Sequence, residues 1–247
     1  MKAESDRSEQ PAPMLRIYCE FDGTATPVDV GDEFFPRFAG PEALEVNRLY
    51  RDGSISGREA FSRYADMLEG VDEESIELFS IGYSLRPSFI PFVEWAGRAG
   101  ISLMILSDGL DAYIEPILRD SGVSIPVRTN QLKIRKDSAC RIVHPYSDEN
   151  CAACGTCKRN VMLCGAADRD IIVLIGDGMS DFCPAGFADI VFATGELVDY
   201  CRRQNISYRR FETFDDVRRD LCGMLQRGKM RRPRQALQAR ELVWRSG

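Results

Sequence analysis

Three apolar, β-rich runs in this chain stop on acidic or glycine-bearing turns, and helical stretches separate them. "LRIYCEF", residues 15–21, runs into Asp22-Gly23-Thr24. "ISLMIL", 101–106, runs into Ser107-Asp108-Gly109, and "IIVLIGDG", 171–178, carries Asp177 in its own turn. Short buried strands alternating with helices predict an α/β protein with a doubly wound parallel sheet. In an open sheet of that kind ligands collect at the carboxyl ends of the strands, where the three turns would meet.

The segments between these runs set the organisation. Residues 31–86 read as helical: Leu44, Leu49 and Tyr50 keep rough helical spacing. Ser56 to Glu59 is a capping-box signature that opens a helix carrying Phe61, Tyr64, Ala65 and Leu68. The stretch is too long for a simple crossover, so it predicts a small helical cap inserted after the first strand. Further helices are expected at 92–100, at 111–122 and at 158–168. Residues 125–143 are β-like with polar interruptions, 147–157 form a cysteine-rich loop, and "DIVFAT" and "ISYRRF" are two short strands. The expected division is a disordered lead-in at 1–13, a core from 14–28 and 87–225, a cap at 29–86, and a basic extension at 226–247.

A chain of 247 residues can bury one sizeable core plus a subdomain. No apolar run approaches the roughly 18 residues of a membrane span, and the polar start lacks the apolar centre of a signal peptide. The expected location is the cytoplasm. Net charge is −6, yet residues 226–247 hold seven Lys or Arg against one Glu. A basic tail can touch nucleic acid or anionic lipid. This one is short and has Trp244 as its single aromatic, so a solvated helical extension is expected instead.

Nine cysteines, an odd number without a secretory signal, favour thiols or metal ligands over a disulfide framework. Cys151, Cys154 and Cys157 form C-x2-C-x2-C, with Cys140 upstream and His144, the single histidine, nearby. That spacing suits a structural Zn²⁺ or an iron–sulfur cluster. The alternative is a loop of reduced thiols whose job is to present Lys158.

The strand-end turns carry the chemistry. Carboxylates at Glu20, Asp22, Asp177 and Asp181 suit a hard cation. The Ser107 hydroxyl, the Lys158 ammonium and the tight glycine turns suit phosphate oxygens. "EFDGT", "LSDG", Lys158 and "GDGMSD" stand in the order and spacing of the four motifs of the haloacid dehalogenase-like (HAD) superfamily, across residues 15–195. "SDGLDAYIEPIL" and "CAACGTCKRNVM" resemble its 2-hydroxy-3-keto-5-methylthiopentenyl-1-phosphate phosphatases, and "TNQL" resembles the phosphoserine phosphatases.

The resemblance implies a Mg²⁺-dependent hydrolase of a small phosphomonoester metabolite, with a Rossmann-like core. Position 20 would be the carboxylate nucleophile. Asp22 would be the general acid and then the base, its backbone carbonyl a metal ligand. Glu20, Asp22, Asp177 and Asp181 would form the metal set. Ser107, Asp108, Gly109 and Lys158 would hold the phosphate.

One residue departs from the pattern: Glu20 stands where the superfamily has aspartate. The extra methylene adds about 1.5 Å, and a displacement of ~1 Å can cost an in-line reaction on the order of 100-fold. Three readings follow. The protein is a phosphatase that uses Glu20, or it binds a phosphorylated ligand without hydrolysing it, or the site runs altered chemistry. Retention of Asp22, Ser107, Lys158, Asp177 and Asp181 favours the first. Substrate contacts are expected from the cap, among Asp29, Asp32, Arg48, Arg58 and Arg63. Arg58, in the first turn of the capped helix, is the preferred candidate.

Overall fold

The computed structural model describes residues 14–135, 139–228, 230 and 232–246. The lead-in expected at 1–13 lies outside them. The chain opens with β1 (Leu15–Cys19), passes a tight turn over Phe21–Ala25, and forms α1 (Gly31–Phe38), α2 (Ala43–Arg51), α3 (Gly57–Met67) and α4 (Glu73–Ser80). It continues through α5 (Phe89–Arg98), β2 (Ser102–Leu110), α6 (Asp111–Asp120), β3 (Val127–Ile134) and β4 (Cys140–Val143). Next come α7 (Lys158–Cys164), β5 (Ile171–Gly176), α8 (Phe182–Ala185), β6 (Ile190–Ala193) and α9 (Gly195–Arg203). The short β7 (Arg209–Arg210) precedes α10 (Phe214–Arg227) and α11 (Arg234–Ser246).

The strands form one sheet in the order β4-β3-β2-β1-β5-β6-β7, parallel except where β4 returns against β3. The chain builds one half outward from β1, then comes back to build the other from β5. That reversal opens a crevice at the carboxyl end of β1, beside β5. All six residues of β5 are buried, as a strand covered on both faces requires. Alternation along β1 sends Ile17 into the core shared with Phe34, Phe92 and Phe214, and Tyr18 into the core shared with Met162, Leu174 and Leu197.

The α/β class and the doubly wound parallel sheet are as expected, and several boundaries move. β2 does not stop at residue 106 but runs through Ser107-Asp108-Gly109 to Leu110, with a register irregularity against β3 between Leu106 and Leu110. A bulge of this kind keeps a polar Asp-Gly pair inside a strand. The β-like stretch resolves into an antiparallel β3–β4 pair, and "ISYRRF" yields only the two residues of β7. The helix after Lys158 ends at Cys164.

The helical stretch becomes four helices. Ser56 caps α3, its Oγ accepting from the Glu59 N–H at 3.1 Å, and Asp72 caps α4 in the same way at 2.8 Å. α3 packs toward β4 and α4 toward α6, where Arg119 donates to the Glu77 carboxylate at 2.6 Å.

The C-terminal segment is helical, but its basic character is not simply solvated. Arg240 on α11 is 3% exposed. It donates to the Phe187 carbonyl over 2.8 Å and pairs with the buried Asp189 at 2.9 Å. A guanidinium can be buried only where acceptors are waiting, and the core supplies them.

Candidate active site

β1 delivers Glu20 to the crevice. Its backbone N–H donates to the Ile175 carbonyl at 2.9 Å, so the residue is locked to β5. The side chain folds back: Oε1 accepts from the Phe21 N–H at 2.8 Å, and Oε2 accepts from Ser180 Oγ at 3.1 Å. Oε2 also forms an ion pair with the Lys158 ammonium. Lys158, the first residue of α7, is buried and donates to Asp181 Oδ1 at 2.6 Å and Ser180 Oγ at 2.8 Å. One ammonium therefore ties Glu20 and Asp181 together beneath the crevice.

The turn after β1 is built around Gly23, whose φ of +70° favours glycine. A Cβ there would sit 2.5 Å from Asp177 Oδ2, so the glycine also lets the β5 turn come close. Thr24 Oγ1 donates to Asp177 Oδ1 at 2.6 Å. Arg86 pins the turn from behind through the carbonyls of Thr24, at 2.9 Å, and Gly23, at 3.0 Å. Asp22 is held at both oxygens, by the Val30 N–H at 3.0 Å and the Tyr113 hydroxyl at 2.8 Å.

Ser107 is buried, and its Oγ accepts from the Gly109 N–H at 3.0 Å. The Asp108 side chain is tied to the cysteine-rich loop and to β3. Its Oδ1 accepts from the Thr156 N–H at 2.8 Å and from Asn130 Nδ2 at 2.9 Å. Asp181 is engaged at both side-chain oxygens, as Glu20 is. Oδ1 is taken by Lys158, and Oδ2 accepts from the N–H groups of Asp177 and Gly178, at 3.1 and 3.4 Å. Its task is to hold Lys158 and the β5 turn.

The crevice surplus is negative. Burial, reinforced by Asp181, pushes the Asp177 carboxyl up to about 6. Burial and then the neighbouring Asp29 raise Asp22 well above the usual carboxylate range. Desolvated carboxylates close together call for a cation. Among the described residues no group of three or more His, Cys, Asp or Glu side chains is placed to hold a metal ion. The chemistry of the remaining donors still suits one hard cation: the carboxylates of Glu20 and Asp177 with the backbone carbonyl of Asp22.

The same finding corrects the cysteine expectation: Cys140, Cys151, Cys154 and Cys157 are not gathered into a metal cage. Cys140 lies on β4, and burial pushes the Cys154 thiol up to about 12. His144 is occupied, its Nδ1 2.7 Å from Asn130 Oδ1.

Above the crevice lies a cavity of about 430 Å³. Glu20, Asp22, Asp108, Gly109 and Asp177 lie on one side, and Phe35, Tyr50, Phe61 and Tyr64 from the helices on the other. Asp29 and Asp32 line it as expected, with Asp32 bound to Asn47 at 2.6 Å and paired with Arg51. The three arginine candidates are elsewhere. Arg48 pairs with Glu45 and Asp52, and Arg63 with Glu59, all on the surface. Arg58 grips the cysteine-rich loop, donating to the Cys151 carbonyl at 2.9 Å and the Asp148 carbonyl at 3.3 Å. The first turn of α3 faces that loop, where the Gly57 N–H meets the Ala153 carbonyl at 2.8 Å. Sequence reasoning missed Thr24, Arg51, Arg86, Tyr113 and Ser180. Three of these had a signal, since Thr24 sits inside "EFDGT", Tyr113 inside "SDGLDAYIEPIL" and Ser180 inside "GDGMSD".

Residues 17–185 match the haloacid dehalogenase-like hydrolase family. Pdp3-interacting factor 1 of Schizosaccharomyces pombe is 30% identical over 84% of this chain and 94% of its own length. A 2-hydroxy-3-keto-5-methylthiopentenyl-1-phosphate phosphatase of Lysinibacillus sphaericus is 30% identical over 81% of this chain and 90% of its own. Among solved structures, a probable phosphoserine phosphatase of Vibrio cholerae superposes with a TM-score of 0.67 at 17% identity, covering 90% of this chain and 70% of that one.

Proposed function

The chain belongs to the haloacid dehalogenase-like hydrolases, and on that footing we propose that it is a Mg²⁺-dependent phosphatase of a small phosphomonoester, with Glu20 as nucleophile. The carrying observation is the buried Lys158 ammonium joined to both Glu20 and Asp181 where β1 and β5 end. A phosphoryl group arriving at Glu20 would meet that charge, and phosphoryl transfer depends chiefly on positioning and charge neutralisation. The fold-back of Glu20 supports turnover: its extra methylene is taken up in a bend that ends on Lys158 instead of overshooting the crevice.

In the proposed reaction a Glu20 oxygen attacks phosphorus, the bond from phosphorus to the leaving oxygen breaks, and Asp22 gives that oxygen its proton. Asp22 then takes a proton from water, whose oxygen attacks phosphorus and releases phosphate and the free Glu20 carboxylate. Ser107 donates its hydroxyl to a phosphoryl oxygen. Glu20, Asp177 and the Asp22 carbonyl would hold Mg²⁺, which supplies charge neutralisation between the phosphate and these carboxylates. The helices at 29–86 act as the cap, closing the cavity over the core built from 14–28 and 87–225. A small leaving group fits the cavity, and the Lysinibacillus relative's name points to a phosphorylated metabolite. A cytoplasmic setting agrees with nine free cysteines and with no described helix being long and apolar enough to cross a membrane.

The test is phosphate release from a panel of phosphomonoesters by wild type, Glu20→Ala and Glu20→Asp, with Mg²⁺ or with EDTA. The proposal expects release by wild type that needs Mg²⁺ and disappears in Glu20→Ala. A silent wild type, with activity appearing only in Glu20→Asp, would make the protein a binder of phosphorylated ligands instead.

A further inference from the structure

Asp22 is fixed by two donors of different kinds. The Val30 N–H, from the loop before α1, reaches Oδ1, and the phenol of Tyr113, from the first turn of α6, reaches Oδ2. A carboxyl group anchored at one oxygen can still swing about that anchor; anchored at both, its plane is set. Tyr113 is 1% exposed, and its ring sits 5.4 Å from Phe34 and 6.5 Å from Phe21 between centroids. Packing therefore aims the hydroxyl, because the ring has no room to turn away.

Gly109 completes the arrangement. A Cβ at that position would sit 2.6 Å from Asp22 Oδ2 and would overlap the Tyr113 hydroxyl. The end of β2 thus leaves space for the phenol–carboxyl pair and for nothing larger.

We propose that Tyr113 is a positioning residue for the proton that Asp22 delivers to the leaving oxygen, so that its hydroxyl governs turnover of esters of weakly acidic alcohols. The assignment rests on the phosphatase reading above. When an alkyl phosphate is cleaved, the leaving alkoxide needs a proton as the bond to phosphorus breaks, and the carboxylic acid of Asp22 supplies it. A p-nitrophenolate leaves as a stable anion and needs none. A correctly placed general acid is worth about 10²–10⁴ in rate, and a swinging one forfeits part of that.

The experiment compares kcat and KM of wild type and Tyr113→Phe on an alkyl phosphate that wild type hydrolyses and on p-nitrophenyl phosphate. We expect the ratio of alkyl to aryl kcat to fall about tenfold, with KM for the alkyl ester little changed. Gly109→Ala, which crowds the hydroxyl from the other side, should lower the same ratio. Equal losses on both esters in both variants would reduce Tyr113 to a packing residue and overturn the assignment. Wild-type-like values in Tyr113→Phe on both esters would overturn it too, leaving the phosphatase reading intact. Wild type releasing phosphate from no ester of the panel above would remove that reading and this one with it.

Discussion

The Lys158 ammonium and the Glu20 carboxylate form an ion pair whose side chains are only 1% and 5% exposed. Asp181 shares the ammonium and is fully buried. Two buried carboxylates thus depend on one cation, and desolvated charge is tolerated only when it is paired. Lys158→Met would leave both uncompensated. We expect a loss of about 3–5 kcal/mol of stability, read as a lowered urea midpoint, together with loss of hydrolysis. Lys158→Arg should not restore activity, because a planar fork cannot replace a point charge held between three acceptors.

The parts of this fold legible in the sequence were those that follow local rules. β5 could be read directly, because a strand covered on both faces is a continuous apolar run. The Ser56 cap was legible because a hydroxyl three residues before a glutamate has a local partner. The motif residues could be found for the same reason: each lies near a strand end or, like Lys158, at the start of a helix. The partners of Tyr113 and Thr24 could not be, since they lie 91 and 153 residues away. The partners of Arg58 were not legible either, because its place in the first turn of a capped helix does not reveal what that turn meets; it meets backbone carbonyls of the cysteine-rich loop. The cysteines misled because C-x2-C spacing is not sufficient for a metal cage; the loop's backbone aims its contacts at Asp108 and α3.

Asp108 gives a pH prediction. Burial pushes its carboxyl up to about 6, above the ~3.9 of an unfolded aspartate. The folded state therefore holds the proton more tightly. The stability this group contributes is fully present below about pH 4 and is lost as pH rises through about 6. Asp108→Asn keeps an acceptor for the Thr156 N–H and removes the titration. Urea unfolding at several pH values should show wild type losing about 2 kcal/mol more than the variant between pH 4 and pH 7. Parallel curves for the two proteins would contradict the assignment.

Arg58 ties α3 to the loop that leads into Lys158, through carbonyls of Asp148, Cys151 and Cys154. Charged hydrogen bonds to half-buried acceptors are worth about 1.5–3 kcal/mol together with the order they impose. Arg58→Met keeps most of the stem and loses the fork. Amide exchange across residues 148–157 should accelerate at least tenfold, while exchange in β5 stays slow. Uniform acceleration through β5 would mean that the arginine supports the whole fold and not this loop.

At the far side of the sheet, Asp189 is the counterpart of Glu20: a buried carboxylate answered from a distant segment. It accepts from the Ile172 N–H at 2.9 Å, pairs with Arg240 at 2.9 Å, and has Arg232 further off at 3.4 Å. Arg240→Ala would strip the nearer cation and leave the Phe187 carbonyl without its donor. Arg232, at 26% side-chain exposure, can answer only part of the charge. The expected cost is about 2–4 kcal/mol, somewhat below that of a fully orphaned buried charge. The residues at the crevice are contributed by other elements, so the folded variant should keep the wild-type KM. Asp189→Asn combined with Arg240→Ala should recover part of the lost stability, because the charge that needed an answer is gone. A double variant that is no more stable than Arg240→Ala alone would show that α11 is held by its apolar contacts, with the ion pair contributing little.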